Sequence, residues 1–460
     1  MSATATRAGK SLVRVTQYNL LAQCYVRSAI FTHSPGPALK YVVRTTRVPD
    51  GGCRPSRGVR RPPRPSSPDP LTVLPARLPA FLSRTASLIR WKNRSKALLA
   101  ELERLDADVL AVQEMDQFEE FWKPWLEGRG YGGVYKRRTQ ATAAKKDGCG
   151  LFFKTGKLEL LARRGLEYND EAFAGEPSVE TTSVETSEED DEKRAEDAPG
   201  DAKSLLESLR TFRARNDDSE TVSKLPETRK THVRDCVGIL AMLREKRAER
   251  TAAESDEDDA EDDEKRKPFL VASTHLFWDP DFPDVKLRQT ERLLAETRGF
   301  VRAFLASNAG KRSAGNAGNA GDAVPGGAKT SVPVIVAGDF NSVPGSDVHA
   351  AALRGVPGPS PGTPGTPLKS AYAEALKHAD ARIAKPADGR DCVAADPTTG
   401  EPRHTNVTPG FTECIDYVFV SEDVAVVAAE PISGPAATFA GLPDLAHPSD
   451  HLPITVTLEY

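Results

Sequence analysis

The sequence predicts an α/β fold in which central sheets are covered by helices. Three observations lead there: short apolar runs rich in strand-forming residues recur along the chain, two longer segments place Leu and Ala at three-to-four spacing, and the two kinds of segment interleave.

In order, the strand-like runs are SLVRVTQYNLL (11–21), ADVLAVQEM (107–115), GCGLFFK (148–154), DCVGILAML (235–243), FLVASTHLF (269–277), VPVIVAGDF (332–340), CIDYVFVS (414–421) and LPITVTLEY (452–460). Several are apolar without alternation, the pattern of a strand buried on both faces. The helical segments are NRSKALLAELERL (93–105) and DVKLRQTERLLAETRGFVRAFL (284–305), each with charges opposite its apolar stripe.

Other stretches do not fit a core. Residues 176–230 and 245–267 are acidic spacers, and 307–331 and 355–366 are small-residue loops. Residues 41–90 hold ten Arg, nine Pro, no Lys and only two acids, a composition unlike either flank. With 460 residues at 39% hydrophobic, the chain can still bury a substantial core, and it reads as a single catalytic domain over 1–460 broken by these insertions.

The composition also limits the function classes. No run of about 18 apolar residues appears, so no membrane partner is expected. Arg14, Gln17 and Asn19 interrupt the first apolar segment, unlike a secretory signal. The expectation is a soluble protein of the cytoplasm, with the nucleus as a further site. Six scattered cysteines form no CxxC pair and read as reduced structural thiols. The net charge of -4 conceals five acids in 188–192 and nine in 254–264; without those fourteen it would be +10, enough to attract a polyanion.

Chemistry-bearing residues gather where the apolar runs end. Asn19 ends the first, Glu114 the second and His275 the fifth, while Asp339 and Asn341 end the sixth. Asp416 lies inside the seventh, and Asp450-His451 precedes the last. Each alone has a plainer reading: a strand surfacing at Glu114, turns at Asn19 and Asn341, core histidines at His275 and His451. Asp416 is harder to dismiss, because a carboxylate in a buried strand costs several kcal/mol unless paired, and a histidine is its natural partner.

Together these residues supply the parts for phosphodiester hydrolysis. A hard carboxylate such as Glu114 suits Mg²⁺, an acid such as Asp339 can orient and deprotonate water, and imidazolium and amide groups can bind phosphate oxygens. No GxSxG or GxxxxGK[ST] motif points to acyl transfer or nucleoside triphosphate binding.

In order, TQYNLLAQ, VQEMD, DGCGLFFK, STHLFWDP, AGDFNSVPGS, TPGFTECIDYVF and HPSDHLP resemble the endonuclease/exonuclease/phosphatase superfamily. WDPDFPDVKLRQT and the spacing from Phe411 to Asp416 resemble its deadenylase branch, the carbon catabolite repressor 4, nocturnin and angel group. The resemblance implies a two-sheet α/β sandwich flanked by helices, with one Mg²⁺-dependent site, or Mn²⁺ in its place, at one rim. It implies that Glu114 binds the metal with Asn19 beside it and Asp450 in support, and that Asp339 positions water and Asn341 the scissile phosphate. His451, oriented by Asp416, would bind that phosphate; His275 would face the phosphate or leaving group; Pro280 and Phe411 would sandwich an adenine.

The implied activity is 3′-to-5′ trimming of RNA 3′ ends, poly(A) foremost, releasing 5′-AMP. The alternatives are a phosphodiesterase or phosphatase acting on a small adenylate, such as a 2′-5′ oligoadenylate or dinucleotide phosphate, and a non-catalytic RNA-binding subunit. The family's larger deadenylases carry a leucine-rich repeat that docks on the NOT scaffold; this chain starts at the first catalytic strand, so no such docking is expected. Residues 41–90 split Leu39-Lys40 from Trp91-Lys92, a pair of dipeptides that the family joins. That insertion reads as a retained intron, or else as a basic RNA-gripping loop; excising it would move the formal charge from -4 to -12.

Overall fold

The computed structural model describes residues 11–26, 89–139, 145–169, 230–246, 266–315, 331–358, 363–377, 392–408, 410–434, 441–444 and 446–460. In chain order the elements are β1 (Leu12–Asn19), α1 (Trp91–Leu105), β2 (Val109–Gln113), α2 (Lys123–Gly128), β3 (Tyr131–Arg137), β4 (Gly148–Lys154), β5 (Leu158–Glu167), β6 (Val237–Glu245) and β7 (Phe269–His275). Then follow α3 (Pro283–Gly315), β8 (Val334–Asp339), α4 (Asp347–Arg354), β9 (Leu368–Ser370), α5 (Ala371–Lys377), β10 (Asn406–Thr408), β11 (Phe411–Glu413), β12 (Asp416–Ser421), β13 (Ala425–Ala429) and β14 (Ile454–Glu459).

Two six-stranded sheets, ordered β13-β14-β1-β2-β4-β3 and β5-β6-β7-β8-β12-β9, pack face to face. Each contains one parallel pair, β1 with β2 and β7 with β8, while their other neighbours run antiparallel. A parallel pair needs a long crossover, and the described helices α1 and α3 lie in those two connections.

The apolar runs lack alternation because both faces of the central strands are covered. Val109 and Ala111 of β2 enter the core between the sheets, while Leu110 and Val112 pack outward with Leu98, Leu102 and Trp122. In β8, Ile335 and Ala337 face inward, and Val334 and Val336 face Leu293 and Phe300 of α3. Burying such side chains contributes roughly 1.5–3 kcal/mol each relative to exposure. This is the expected two-sheet sandwich flanked by helices.

All eight expected strands form, with ends that differ by no more than two residues; β6 starts two residues later and runs two residues further than expected. Sequence reading missed β3, β5, β9, β10, β11 and β13, which are polar, short or rich in Gly and Ala. It also ended the long helix at 305, whereas α3 runs to Gly315. The small-residue loop expected from 307 therefore begins as helix, because Ala, Lys and Arg there are good helix formers; residues 316–330 lie outside the described residues. The insertion at 41–90 lies outside them too, except Ile89 and Arg90, as do the spacers at 176–230 and 245–267 apart from their outermost residues. Five described cysteines are free thiols, and no described helix is long and apolar enough to cross a membrane.

Candidate active site

The two parallel pairs deliver their carboxyl ends to the same rim of the sandwich. Asn19 sits across from Gln113 in register, one residue before Glu114, and His275 sits across from Asp339. Antiparallel β12 begins at this rim, placing Asp416 opposite Asp339. The main chain then bends sharply: Glu114 and Asn341 have φ of 56° and 47°, in the left-handed region. Asn tolerates that conformation, whereas for Glu it costs about 1–3 kcal/mol, a strain held here by the surrounding contacts.

A cavity of about 810 Å³ opens at this rim, lined by Glu114, His275, Asp339, Asn341, Asp450 and His451, and also by Pro280 and Phe411. Eight of the ten predicted site residues thus face one space. The other two, Asn19 and Asp416, are fully buried beneath it. Asn19 Nδ2 donates to Glu114 Oε1 at 3.2 Å and to Asp339 Oδ2 at 3.0 Å, while its Oδ1 accepts from the Leu21 amide at 3.0 Å. It therefore holds the two carboxylates with its amide donor and spends its oxygen on the following turn.

Asp416 meets the requirement that a buried charge be paired. Its Oδ1 accepts from Gln17 Nε2 at 2.8 Å, and its Oδ2 from Thr405 Oγ1 at 2.6 Å and His451 Nδ1 at 2.8 Å. The adjacent carboxylate keeps His451 well above the usual histidine range, against the opposing effect of burial. His451 is thus an imidazolium whose Nε2 lies 3.8 Å from Asp339 Oδ2.

His275 is the opposite case. Burial and the Arg138 guanidinium push its basicity well below the histidine range. Its Nδ1 lies 2.6 Å from Arg138 Nη2, and its Nε2 is 3.5 Å from Asp339 Oδ2.

Two of the cavity carboxylates, Glu114 and Asp339, are held above their ordinary range. Burial, then the neighbouring negative charge of Asp450 and Asp147, raises Glu114 to about 7. Burial, then the charge of Asp416, raises Asp339 to about 7. Asn341 accompanies Asp339: its amide donates to Asp339 Oδ1 at 2.9 Å, its carbonyl accepts from Lys286 Nζ at 2.8 Å, and its side chain donates to the Leu276 carbonyl at 3.0 Å.

Charged oxygens crowded around a cavity are the donor set of a hard divalent cation, Mg²⁺ or Mn²⁺, so the residues fit one. Donor atoms of Asp339, Asp416 and His451 also lie within 4.8 Å of one another. Asp416 and His451 Nδ1 are already spent on each other, which leaves Glu114, Asp339 and Asp450 as carboxylates that line the cavity.

Phe411 opens β11, whose hairpin with β10 is laced to the segment carrying His451: the Val407 amide donates to the Asp450 carbonyl at 2.9 Å, and the Leu452 amide to the Thr405 carbonyl at 2.6 Å. An apolar wall is thereby tied to the charged floor. Trp278 and Val343, two of the three large apolar side chains exposed among the described residues, line the same cavity.

Sequence reading missed several supporting groups. Gln17 also donates to Gln113 at 2.9 Å, and Gln113 to Ser273 at 3.4 Å, a polar layer joining the sheets under the site. Both glutamines sit in otherwise apolar strands, a signal that could have flagged them. Arg94, 1% exposed, donates to the carbonyls of Leu20, Leu21 and Pro448 and so ties α1 to the turn after Asn19. Arg138 follows a strand that was not recognised.

The sequence profile of the Endonuclease/Exonuclease/phosphatase family matches residues 82–451. The chain is 28% identical over 458 residues to carbon catabolite repressor protein 4 homolog 4 of Arabidopsis thaliana, covering 97% of this chain and 77% of that protein. It is 26% identical over 384 residues to the CCR4-Not complex 3′-5′-exoribonuclease subunit Ccr4 of Yarrowia lipolytica, covering 80% of this chain but only 44% of that relative's length. Among solved structures, ANGEL2, a 2′,3′-cyclic phosphatase, in complex with adenosine-2′,3′-vanadate, aligns with a TM-score of 0.52 at 19% identity, covering 99% of this chain and 97% of that one. At that identity the likeness is one of fold.

Proposed function

The chain belongs to the endonuclease/exonuclease/phosphatase family, and from that premise we propose that it is a metal-dependent 3′-to-5′ exoribonuclease of the cytoplasm or nucleus that trims poly(A) and releases 5′-AMP. The observation that carries this reading is the convergence of Glu114, Asp339, Asn341 and His451 on one cavity that also has an apolar wall at Pro280 and Phe411. The similarity to a 3′-5′-exoribonuclease subunit supports RNA as the substrate class.

Glu114 and Asp450 would hold the cation, which when bound neutralises charge on the phosphoryl oxygens. Asp339, with a pKa of about 7, is suited to take a proton from water as its oxygen attacks phosphorus. The bond from phosphorus to the 3′ oxygen of the penultimate nucleotide breaks, that oxygen takes up a proton from solvent to become the new 3′-hydroxyl of the shortened RNA, and the terminal nucleotide leaves as 5′-AMP. The imidazolium of His451, held by Asp416, stabilises charge on a non-bridging oxygen, and Asn341 positions the same phosphate. Pro280 and Phe411 would clamp the terminal base between apolar faces, a contact worth about 1–3 kcal/mol.

The test incubates wild-type and Glu114→Ala protein with 5′-labelled RNA ending in twenty adenosines, with the same RNA ending in another base, and with small adenylates. Stepwise shortening of the adenosine-tailed RNA by wild type alone is expected. Turnover of a small adenylate with no RNA shortened would replace the substrate, and inertness of both proteins would favour a binding role.

A further inference from the structure

We propose that Arg138 is a positioning residue that fixes His275 as a neutral imidazole with its single proton on Nε2, directed into the cavity. Arg138 follows β3, and its guanidinium is spread over three partners. Nε donates to Asp147 Oδ2 at 2.7 Å, Nη1 to Cys236 Sγ at 3.6 Å, and Nη2 lies 2.6 Å from His275 Nδ1. Asp147 is fully buried and also accepts from the Tyr25 hydroxyl. The Arg138 main-chain amide donates to the Asp147 carbonyl at 3.0 Å, so backbone and side chain anchor to the same residue.

A guanidinium has donors only, and in a protein it does not give up its charge. At 2.6 Å, Nδ1 of His275 must therefore accept, which leaves the ring proton on Nε2. A second proton on Nδ1 would point directly at a cation. Among the described residues Nε2–H has no hydrogen-bond acceptor: Asp339 Oδ2 lies 3.5 Å away, beyond the usual hydrogen-bond length, and already accepts from Asn19. His275 lines the cavity, so this donor is available to a bound ligand.

The site thus holds two histidines set by opposite partners. A carboxylate makes His451 a fixed cation; a guanidinium makes His275 a fixed neutral donor. That the ligand oxygen is a phosphate or leaving-group oxygen rests on the proposed function, whereas the tautomer does not.

The test uses the full chain labelled with ¹⁵N at histidine, with the His275 ring resonances assigned by their loss in His275→Gln. Long-range ¹H–¹⁵N spectra of wild type should show one neutral tautomer, protonated at Nε2. Arg138→Met should spread the proton over both nitrogens and lower kcat on adenosine-tailed RNA at least about tenfold, with KM changed less than about twofold. Arg138→Lys, which restores a cationic donor, should recover the tautomer and part of kcat. Thermal unfolding establishes that each variant is folded; if Arg138→Met is not, wild type and Arg138→Lys decide. A wild-type proton on Nδ1, an unaltered tautomer in Arg138→Met, or an altered tautomer with unchanged kcat would overturn the proposal. If wild type shortens no RNA, the proposed substrate fails, and the ring spectra still decide the role of Arg138.

Discussion

Asn19 donates to Asp339 at 3.0 Å across 320 residues of sequence, joining the carboxyl end of β1 in one sheet to the carboxyl end of β8 in the other. The site is a seam between two sheets, and its carboxylates keep their spacing only while the sheets keep their register. Gln17, Gln113 and Ser273 fasten that register one layer below.

Asp339→Asn removes the proposed base while keeping a side chain of the same shape beside Asn19. The expected loss in kcat is about 10²–10⁴-fold with KM little changed. Both Asp339 oxygens accept, from the Asn341 amide and from Asn19, so the new NH₂ faces one of those donors and the melting temperature should fall by a few degrees. Steady-state kinetics and calorimetry on the purified variant check both.

The pH profile follows from the same group. Asp339 must be ionised to accept a proton, and it titrates at about 7. The rate should therefore climb with a slope of about one in log units below that pH and level off above it. His451 stays protonated across this range because Asp416 holds it well above the usual histidine value. A rate falling from pH 6 to pH 8 would contradict the assignment.

Removal of the cation should destabilise the protein more at high pH than at low. Glu114 and Asp339 sit at about 7, against ordinary values of 4.5 and 3.8. A folded-state pKa above the unfolded one contributes stability that is complete below the ordinary range and lost as pH rises through about 7. The chelated protein should thus melt at falling temperature between pH 5 and pH 8. Mg²⁺ added at about a hundred times its Kd at pH 8 should restore about 2.7 kcal/mol, and the same concentration should restore less at pH 5, where protons compete for the carboxylates. Glu114→Gln should lose most of this response.

Phe411→Ala should weaken discrimination at the 3′ end. Loss of one stacking face is worth about 1–3 kcal/mol, so preference for adenosine over other 3′ bases should drop roughly tenfold, with a smaller effect on the chemistry of what is bound. Competition between tailed RNAs measures this ratio directly; an unchanged ratio would remove the stacking role.

Residues that change the local pattern were legible in the sequence, and residues that act only through long-range contact were not. Asp339, Glu114 and His275 each end an apolar run, and the turn at Asn341 is written in Asn-Ser-Val-Pro-Gly. Asp416 stood out as a charge inside a buried strand, and its partner His451 is where that argument placed a histidine. Arg138 gave no such signal: its strand alternates weakly through Gly132 and Gly133, and its partners Asp147 and His275 lie on other strands or the loops between them. Lys286 was hidden in a helical stripe, where nothing local reveals that its amine reaches the Asn341 carbonyl. Pro280 and Phe411 were identified through resemblance, since a proline after Asp and a phenylalanine after Gly are ordinary in loops.

The central claim is hydrolysis of a 3′-terminal phosphodiester by water activated in this site, and the most direct measurement is the fate of that water's oxygen. Wild-type protein with Mg²⁺ and adenosine-tailed RNA in ¹⁸O-labelled water should release 5′-AMP carrying one ¹⁸O in its phosphate and leave RNA with an unlabelled 3′-hydroxyl, and Asp339→Asn should release almost none. Label appearing in inorganic phosphate or in a terminal phosphate of unshortened RNA, or equal release by Asp339→Asn, would contradict the account.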